Sequence, residues 1–315
     1  METTNVRWDE VARRIADDDR SKWDRKVPAA QLAIGQTGEL MAMNGGPVPD
    51  PFVLSDLATS QLCERLGIPV AYYRRLPTGM QATVANFDLK RLSDRQFLLR
   101  GKAHYVRACL SGEYVAYDNR QIAETVEELL RSDVIRIKAF VLEETHCYLK
   151  IISDELVEPT SGLKAGIVIG NSEVGMGSVS VEPFVFRKAC TNDLVVNVDT
   201  AFRHAHIHFN AHELTRRMAE AIGDRFLEAS KILDVFLKAR EEPMPDPLAA
   251  IRKIAEERKL TQRFTDEVVA RYVAEPEASR FGVINAFTAA AQTLAPLQRI
   301  DMERFAGTLL TASAL

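Results

Sequence analysis

The feature that most constrains this fold is a change in the spacing of apolar residues along the chain. Across residues 96–198, apolar and polar residues alternate in short runs, which is the two-residue period of half-buried strands. After Asn210 the apolar residues recur at helical spacing, as at Met218, Ile222 and Phe226. Because the predicted strands follow one another with few crossover helices, they favour antiparallel pairing. The sequence therefore predicts an α+β protein with a central, mainly antiparallel sheet, flanking helices and a helical C-terminal region.

Turn residues separate the individual strands. Residues 111–113 predict a turn, residues 143–145 predict a hairpin connection, and Asn119 is placed to cap a helix between them. The predicted strands cover residues 97–100, 105–110, 114–117, 134–142, 147–152, 166–169, 178–187 and 194–198.

Proline-rich segments divide the chain into three parts. Residues 44–51 contain two glycines and three prolines, which exclude both a helix and a strand ladder, and residues 241–247 form a second linker of this kind. We therefore predict an N-terminal segment over residues 1–50, an α+β core over residues 51–240 and a helical region over residues 241–315.

Composition limits the class of protein. The chain has 315 residues, of which 46% are hydrophobic and 27% charged, as is ordinary for a globular protein. The net charge of −4 excludes a globally basic nucleic-acid binder, so an anionic partner would have to meet a local patch. Neither a Gly-x-Ser-x-Gly elbow nor an HExxH motif occurs, and the sequence therefore favours a protein without catalytic activity.

Cysteine usage and hydropathy bear on the compartment. The four cysteines are too far apart in sequence for a CxxC pair, which indicates buried thiols in a reducing compartment. The first residues are polar, and no apolar run approaches the roughly 18 residues of a membrane span. We expect a cytoplasmic protein with no membrane association. The cysteines are Cys63, Cys109, Cys147 and Cys190.

A local basic run provides the strongest functional signal. Residues 90–107 carry six cations and one acid, a net charge of +5, with tyrosines within and just beyond the run. Cations that neutralise phosphates, together with aromatic rings that stack on bases, are how proteins hold single strands without sequence preference. We predict a groove extended by cations of the later strands and by the loop at residue 171. The candidate DNA-binding residues are Arg100, Lys102, Tyr105, Arg107, Tyr114, Lys138, Lys150, Asn171, Arg187 and Lys188.

The glycine-rich loop at residues 170–177 is not a nucleotide-hydrolysing motif. It has the spacing GxxxxGxG but lacks the Lys-Ser/Thr pair of a P-loop, and a strand follows it in place of a helix. A tight turn and a loop that clamps a DNA backbone are the two interpretations that remain.

Residues 59–76 suggest an alternative mode of DNA recognition. Two short helices joined at Gly67 resemble a helix-turn-helix. The second helix would carry Tyr72, Tyr73, Arg74 and Arg75. Ordinary packing of a helical hairpin explains the same pattern. A sequence-specific DNA-binding regulator is therefore an alternative function.

A cluster of histidines raises the question of a metal site. On a strand, His204, His206 and His208 would share one face, and on a helix His204, His208 and His212 would do so. Either arrangement could bring imidazoles close enough to bind Zn²⁺ or another divalent metal, although the spacing matches no established zinc pattern. A polar strand end is the simpler interpretation, and we otherwise expect no cofactor.

Four segments, taken together and in this order, carry a resemblance to a known family. They are residues 62–76, 107–119, 171–192 and 282–289, and the match runs from about residue 50 to residue 310. This pattern resembles the phage- and plasmid-associated family called domain of unknown function 932. The chain departs from the family pattern at Asp193, where a glycine is expected.

The resemblance implies a role on mobile genetic elements. The expected strand-rich core is similar to that of single-strand annealing proteins, which form rings that hold single-stranded DNA in a basic groove. We therefore predict a protein that binds single-stranded DNA and anneals it without ATP, as a homo-oligomeric ring or filament. A regulator, a histidine-cluster metal-binding protein and a non-catalytic interaction protein remain as alternatives.

Overall fold

A computed structural model describes residues 2–4, 6–42, 50–131, 133–157, 163–187, 193–195 and 202–311. Two mostly antiparallel sheets and ten helices lie within these residues, so the α+β prediction is confirmed. The strands are β1 (Glu2–Thr4), β2 (Lys22–Pro28), β3 (Leu32–Ile34), β4 (Leu40–Ala42), β5 (Asp50–Leu54), β6 (Gln96–Lys102), β7 (Tyr105–Ser111), β8 (Ile135–Leu142), β9 (Cys147–Val157), β10 (Leu163–Asn171), β11 (Val179–Arg187), β12 (Asp193–Val195) and β13 (Phe202–His204). The helices are α1 (Trp8–Asp19), α2 (Asp56–Leu66), α3 (Val70–Tyr73), α4 (Thr78–Arg91), α5 (Asn119–Glu127), α6 (Ala211–Glu241), α7 (Pro247–Glu257), α8 (Gln262–Ala274), α9 (Arg280–Ala291) and α10 (Pro296–Thr311).

The main sheet has the order β1-β8-β9-β10-β11-β12, with β13 also paired to β11. All of its pairs are antiparallel, and β8 and β9 form the predicted hairpin across residues 143–145. Both faces of this sheet are covered. On one face Ile167 packs in a cluster with Met218 of α6, and on the other Val168 packs in a cluster with Ile300 of α10. The side chains of both faces are therefore removed from solvent.

The second sheet has the order β2-β6-β7-β5-β4-β3, and its β5–β7 pair is parallel. Strands β2, β3 and β4 come from the N-terminal segment, so this sheet crosses the predicted boundary at residue 50. Helix α2 begins after Ser55, whose side chain accepts the N–H of Ala58, and ends at Gly67 with φ 74°. These caps are the ones expected from the sequence. The predicted strand at residues 114–117 is absent, because only Tyr114 makes a bridge there, to Ile207.

The C-terminal helices share one apolar cluster with α6 and with residues of β10 and β11. Helix α9 is buried on nearly all sides, and its residues Phe281, Val283 and Phe287 pack with α6, α7, α8 and α10. Residues 242–246 connect α6 to α7, within the linker predicted at residues 241–247. Three cysteines, Cys63, Cys109 and Cys147, are buried thiols as expected, and Cys190 lies outside the described residues. Within the described residues, none of the helices is long and apolar enough to cross a membrane.

Two helical glycines are expected to respond in opposite ways to substitution by alanine. A Cβ on Gly282 would lie 2.0 Å from the backbone oxygen of Glu277, so Gly282→Ala should lower the free energy of unfolding by about 1–3 kcal/mol. A Cβ on Gly223 would have no heavy atom within 4 Å, and Gly223→Ala should raise it by about 0.5–1 kcal/mol. Urea unfolding monitored by circular dichroism measures both. Destabilisation by Gly223→Ala, or none by Gly282→Ala, would contradict this packing.

Candidate functional site

The glycine-rich loop that connects β10 to β11 lies at the junction of the two sheets. Its residue Glu173, only 2% exposed, accepts hydrogen bonds from Lys22 Nζ at 2.8 Å and Arg107 Nη1 at 3.1 Å. The backbone N–H of Asn119, the first residue of α5, donates to the other carboxylate oxygen at 3.0 Å. Lys22 and Arg107 belong to the second sheet, so a single carboxylate of the main sheet's loop binds the two sheets together.

Arg100 extends this arrangement. Its side chain is buried and donates to Asp24 Oδ1 at 2.9 Å, to the Glu173 carbonyl oxygen at 2.7 Å and to the carboxylate of Asp118. Burial by itself would lower the pKa of Arg100, but Asp118 and Asp24 outweigh it and raise this pKa. We call the connected set the junction network. Its members are Asp18, Lys22, Asp24, Arg100, Lys102, Arg107, Asp118 and Glu173.

The electrostatics keep Glu173 ionised. Burial raises its pKa, but the charge of Lys22, the N–H of Asn119 and the charge of Arg107 act in the other direction and leave the pKa below its ordinary value. A charged carboxylate held by two cations in the interior stabilises one relative position of the sheets.

The buried half of the predicted DNA-binding residues is used inside the protein, and the DNA groove itself stays a prediction. Arg100 and Arg107 belong to the junction network, and Lys150 Nζ donates to Glu303 at 2.7 Å. Tyr114 Oη donates to the Ser172 carbonyl at 3.1 Å, and Asn171 Nδ2 donates to the Tyr117 carbonyl and to Asn119 Oδ1, each at 3.0 Å. The five side chains have polar atoms bound within the protein, and two of them, Arg107 and Asn171, also line clefts. The five residues are Arg100, Arg107, Tyr114, Lys150 and Asn171.

The remaining candidates are dispersed. Lys102 donates to Asp18 at 2.9 Å, Tyr105 is exposed beside it, and Lys138 lies 4.7 Å from the centre of the Phe186 ring. The side chain of Arg187, and the whole of Lys188, lie outside the described residues. A cavity of about 520 Å³ beside Lys102 and Tyr105 also contains three carboxylates, which disfavour a phosphate backbone there. These carboxylates belong to Asp18, Glu143 and Glu144.

The histidines do not form a metal site. Within the part of the chain that the structure describes, which includes His204, His206, His208 and His212, no three His, Cys, Asp or Glu side chains could hold a metal ion. His206 is buried, and its ring stacks on Tyr114 at 4.9 Å between ring centres. The prediction of a metal cluster is wrong, because His206 points into the junction and is used in packing.

The helix-turn-helix interpretation also fails at its second helix. Helix α3 covers only Val70–Tyr73, a single turn, and Tyr73 is buried. A recognition helix needs several exposed residues along the floor of a groove, and one turn does not provide them. Tyr72, Arg74 and Arg75 are nevertheless exposed.

These three residues lie close in sequence to a surface that sequence reasoning did not identify. Met80 and Phe87 of α4 are exposed, Phe87 by 69%, and Arg91 is exposed as well. Phe87 and Arg91 follow Met80 by seven and eleven residues, which is about two and three helical turns, so the three residues lie on the same side of α4. Lys90 is exposed at the same end of α4. We call this surface the α4 face, formed by Met80, Phe87, Lys90 and Arg91.

A signal for the α4 face is present in the sequence. The buried residues of α4 are Ala82, Ala85 and Leu89, which recur at helical spacing, and Phe87 falls on the opposite side of the helix. Met80 lies on the same side as Phe87, and two exposed apolar residues that share one side of a helix are a candidate contact surface.

Comparisons of the chain with protein-family models, with curated proteins and with solved structures find no match. The fold and the site define the class only as an α+β protein with a buried ionic junction and an exposed basic and aromatic helix face. The resemblance to the domain of unknown function 932 stays a prediction.

Proposed function

We propose that this protein binds single-stranded nucleic acid on the α4 face. The observation that carries the proposal is the exposure of Phe87 on a helix whose last turn bears Lys90 and Arg91. An exposed ring can stack on an unpaired base, and neighbouring cations can neutralise its phosphates. A duplex offers no free base face along its length, so the proposed preference is for single strands.

The local charge supports this choice of partner. Residues 72–95 contain five cations and two carboxylates, in a chain whose net charge is −4. One carboxylate, Asp88, pairs with Arg91 at 2.9 Å, and the Arg91 side chain is 59% exposed, so solvent and salt reach this pair. The basic run predicted from the sequence is thus divided. Its exposed members Lys90 and Arg91 contribute to the α4 face, and Arg100 and Arg107 belong to the junction network.

Annealing of complementary strands by a homo-oligomeric ring or filament is part of the same proposal. The motif resemblance described above supports it, and no nucleotide is required for the reaction. The junction network holds the two sheets in one arrangement, which would present the α4 face of each subunit in a repeated position.

Binding can be measured by fluorescence anisotropy with a labelled oligothymidylate. Phe87→Ala is expected to raise Kd about 5- to 150-fold, the equivalent of about 1–3 kcal/mol for one stacked base. Lys90→Glu with Arg91→Glu should weaken binding and reduce the slope of log K against log salt by about 0.7 for each phosphate that the variant no longer neutralises.

Two matched variants control for unspecific effects. Leu227→Ala removes an apolar side chain of nearly equal exposure, 68%, from α6. Arg252→Glu with Lys253→Glu reverses an adjacent exposed pair on α7. Both should bind as the wild type does. The proposal fails if the wild type does not bind near physiological salt, if duplex binds more tightly, or if Phe87→Ala leaves Kd unchanged.

A further inference from the structure

A polar cleft lies beside residues 176–178 of the glycine-rich loop. The cleft has a volume of about 370 Å³ and is lined by residues of this loop, of β9, of β13 and of α10. This volume lies within the range of small-molecule sites. None of its lining residues belongs to the α4 face, so the site is independent of the proposed function. The side chains that matter are His146, Tyr148, Ser178, Arg203, Asp301 and Arg304.

Two arginines of the cleft are held by one buried carboxylate. Glu182 is fully buried and accepts Arg304 Nη2 at 2.6 Å and Arg304 Nε at 3.1 Å. It also accepts Arg203 Nη2 at 2.5 Å and Ser180 Oγ at 3.1 Å. Each oxygen of Glu182 thus receives two hydrogen bonds. Because the carboxylate is saturated and shielded, it positions both guanidinium groups without meeting a ligand.

The guanidinium of Arg203 retains donors for a ligand. An arginine has five N–H donors, and among the described residues Arg203 uses only Nη2, towards Glu182. Its side chain is 47% exposed and lines the cleft. With Arg304 it provides two positive charges against the single charge of Glu182. At the rim Asp301 lies 3.6 Å from Arg304, but it is largely exposed, so solvent screens its charge.

His146 fixes the loop on the opposite wall. Its Nε2 lies 3.2 Å from the Met176 carbonyl oxygen, and a carbonyl can only accept, so Nε2 carries the proton. Its Nδ1 then accepts the hydroxyl of Thr145 at 3.0 Å. Burial lowers the pKa of His146, which keeps the ring neutral. His146 is therefore a positioning residue that holds the backbone beside Gly177 and Ser178.

We infer that this cleft binds a small phosphorylated ligand through its phosphate group. Arg203 and Arg304 are the charged donors, and the hydroxyl of Ser178 is a neutral one. A planar guanidinium can donate to two phosphate oxygens at once. The two positive charges of Arg203 and Arg304 exceed the single negative charge of Glu182, which lies beneath them. Binding involves no bond cleavage.

Isothermal titration calorimetry with inorganic phosphate, adenosine 5′-monophosphate and adenosine tests this inference. The wild type is expected to bind the first two and not adenosine. Arg203→Gln should weaken both interactions about 10- to 100-fold, since this variant lacks one set of charge-assisted hydrogen-bond donors. Arg304 still holds Glu182 in this variant. Arg216→Gln removes an arginine of similar exposure, 55%, from α6 and should bind phosphate as the wild type does.

Several results would overturn the inference. These are no binding of phosphate by the wild type, equal affinity for adenosine and its monophosphate, or an unchanged affinity in Arg203→Gln. If circular dichroism shows that Arg203→Gln does not fold, Ser178→Ala serves in its place and should weaken phosphate binding about 3- to 10-fold. The variant Lys90→Glu with Arg91→Glu should retain phosphate binding, which separates this site from the α4 face.

Discussion

Replacing Glu173 with glutamine is expected to lower the free energy of unfolding by about 3–5 kcal/mol, because it removes one partner of a buried ion network. Arg107 would lose its carboxylate partner at 3.1 Å and remain buried. Lys22 would lose one of two partners and keep Asp18 at 2.6 Å. Glutamine has nearly the same shape, so the loss of stability reports charge and not volume. The midpoint and slope of a urea titration measure it.

Two further variants define the origin of this loss of stability. Glu64→Gln makes the same chemical change at an exposed position on α2 and should leave stability within about 0.5 kcal/mol of the wild type. Combining Glu173→Gln with Arg107→Met removes the unpaired cation and should recover part of the stability. If Glu173→Gln alone were as stable as the wild type, Glu173 would not hold the two sheets together.

The second large effect is a dependence of stability on pH that comes from His206. Burial, with a smaller contribution from the charge of Arg100, lowers the pKa of this histidine to about 4, against the hydrogen bond to Val115 and the charge of Asp118. An unfolded histidine has a pKa of 6.5. Between these values the unfolded chain binds a proton that the folded protein does not. Stability should therefore fall by about 3 kcal/mol as pH falls from 6.5 to 4, and this contribution is present in full above pH 6.5.

The variant His206→Gln should remove this dependence on pH. The quantity to measure is the difference in unfolding free energy between wild type and variant, determined at several pH values. Carboxylates with lowered pKa, such as Glu173 and Glu182, affect both proteins alike. His212→Gln, at an exposed position on α6, should keep the wild-type profile.

A specific alternative makes this test decisive. The ring nitrogens of His206 lie 3.2 Å from the Val115 carbonyl oxygen and 3.1 Å from Asn171 Oδ1. Both are acceptors, and a neutral ring can donate to only one of them. If the difference in unfolding free energy between wild type and His206→Gln stayed constant between pH 6.5 and 4, His206 would also be protonated in the folded protein. Its ring would then donate to both oxygens.

Much of the fold follows from local rules that the sequence displays. The alternation at residues 134–152 predicts β8 and β9, and the turn residues between them leave antiparallel pairing as the simplest connection. Ser55 and Gly67 delimit α2, because a hydroxyl cap and a left-handed glycine act within one turn of the chain. The sequence predicts Asn119 as the cap of α5, and the cap is its neighbour Asp118, an error of one residue.

The candidate site was less predictable, because alternation identifies the side chains that share a face of a strand but not what covers that face. Arg100 has the spacing of a groove residue, and in the structure it meets Asp24 and Asp118. Helical spacing alone would place Phe87 on the exposed side of its helix. Phe87 was missed because it precedes the basic run at residues 90–107, and the charges of that run directed attention to the strands.

By itself the sequence determined the α+β class, the strands β6 to β11 and the caps of α2, since these depend on residues a few positions apart. Only the tertiary structure decided which charged side chains lie at the surface and which are buried. Lys22 and Glu173 are 151 positions apart, and their contact exists because two sheets meet at one loop. A buried cation needs its partner in space, and no periodicity along the chain encodes that distance.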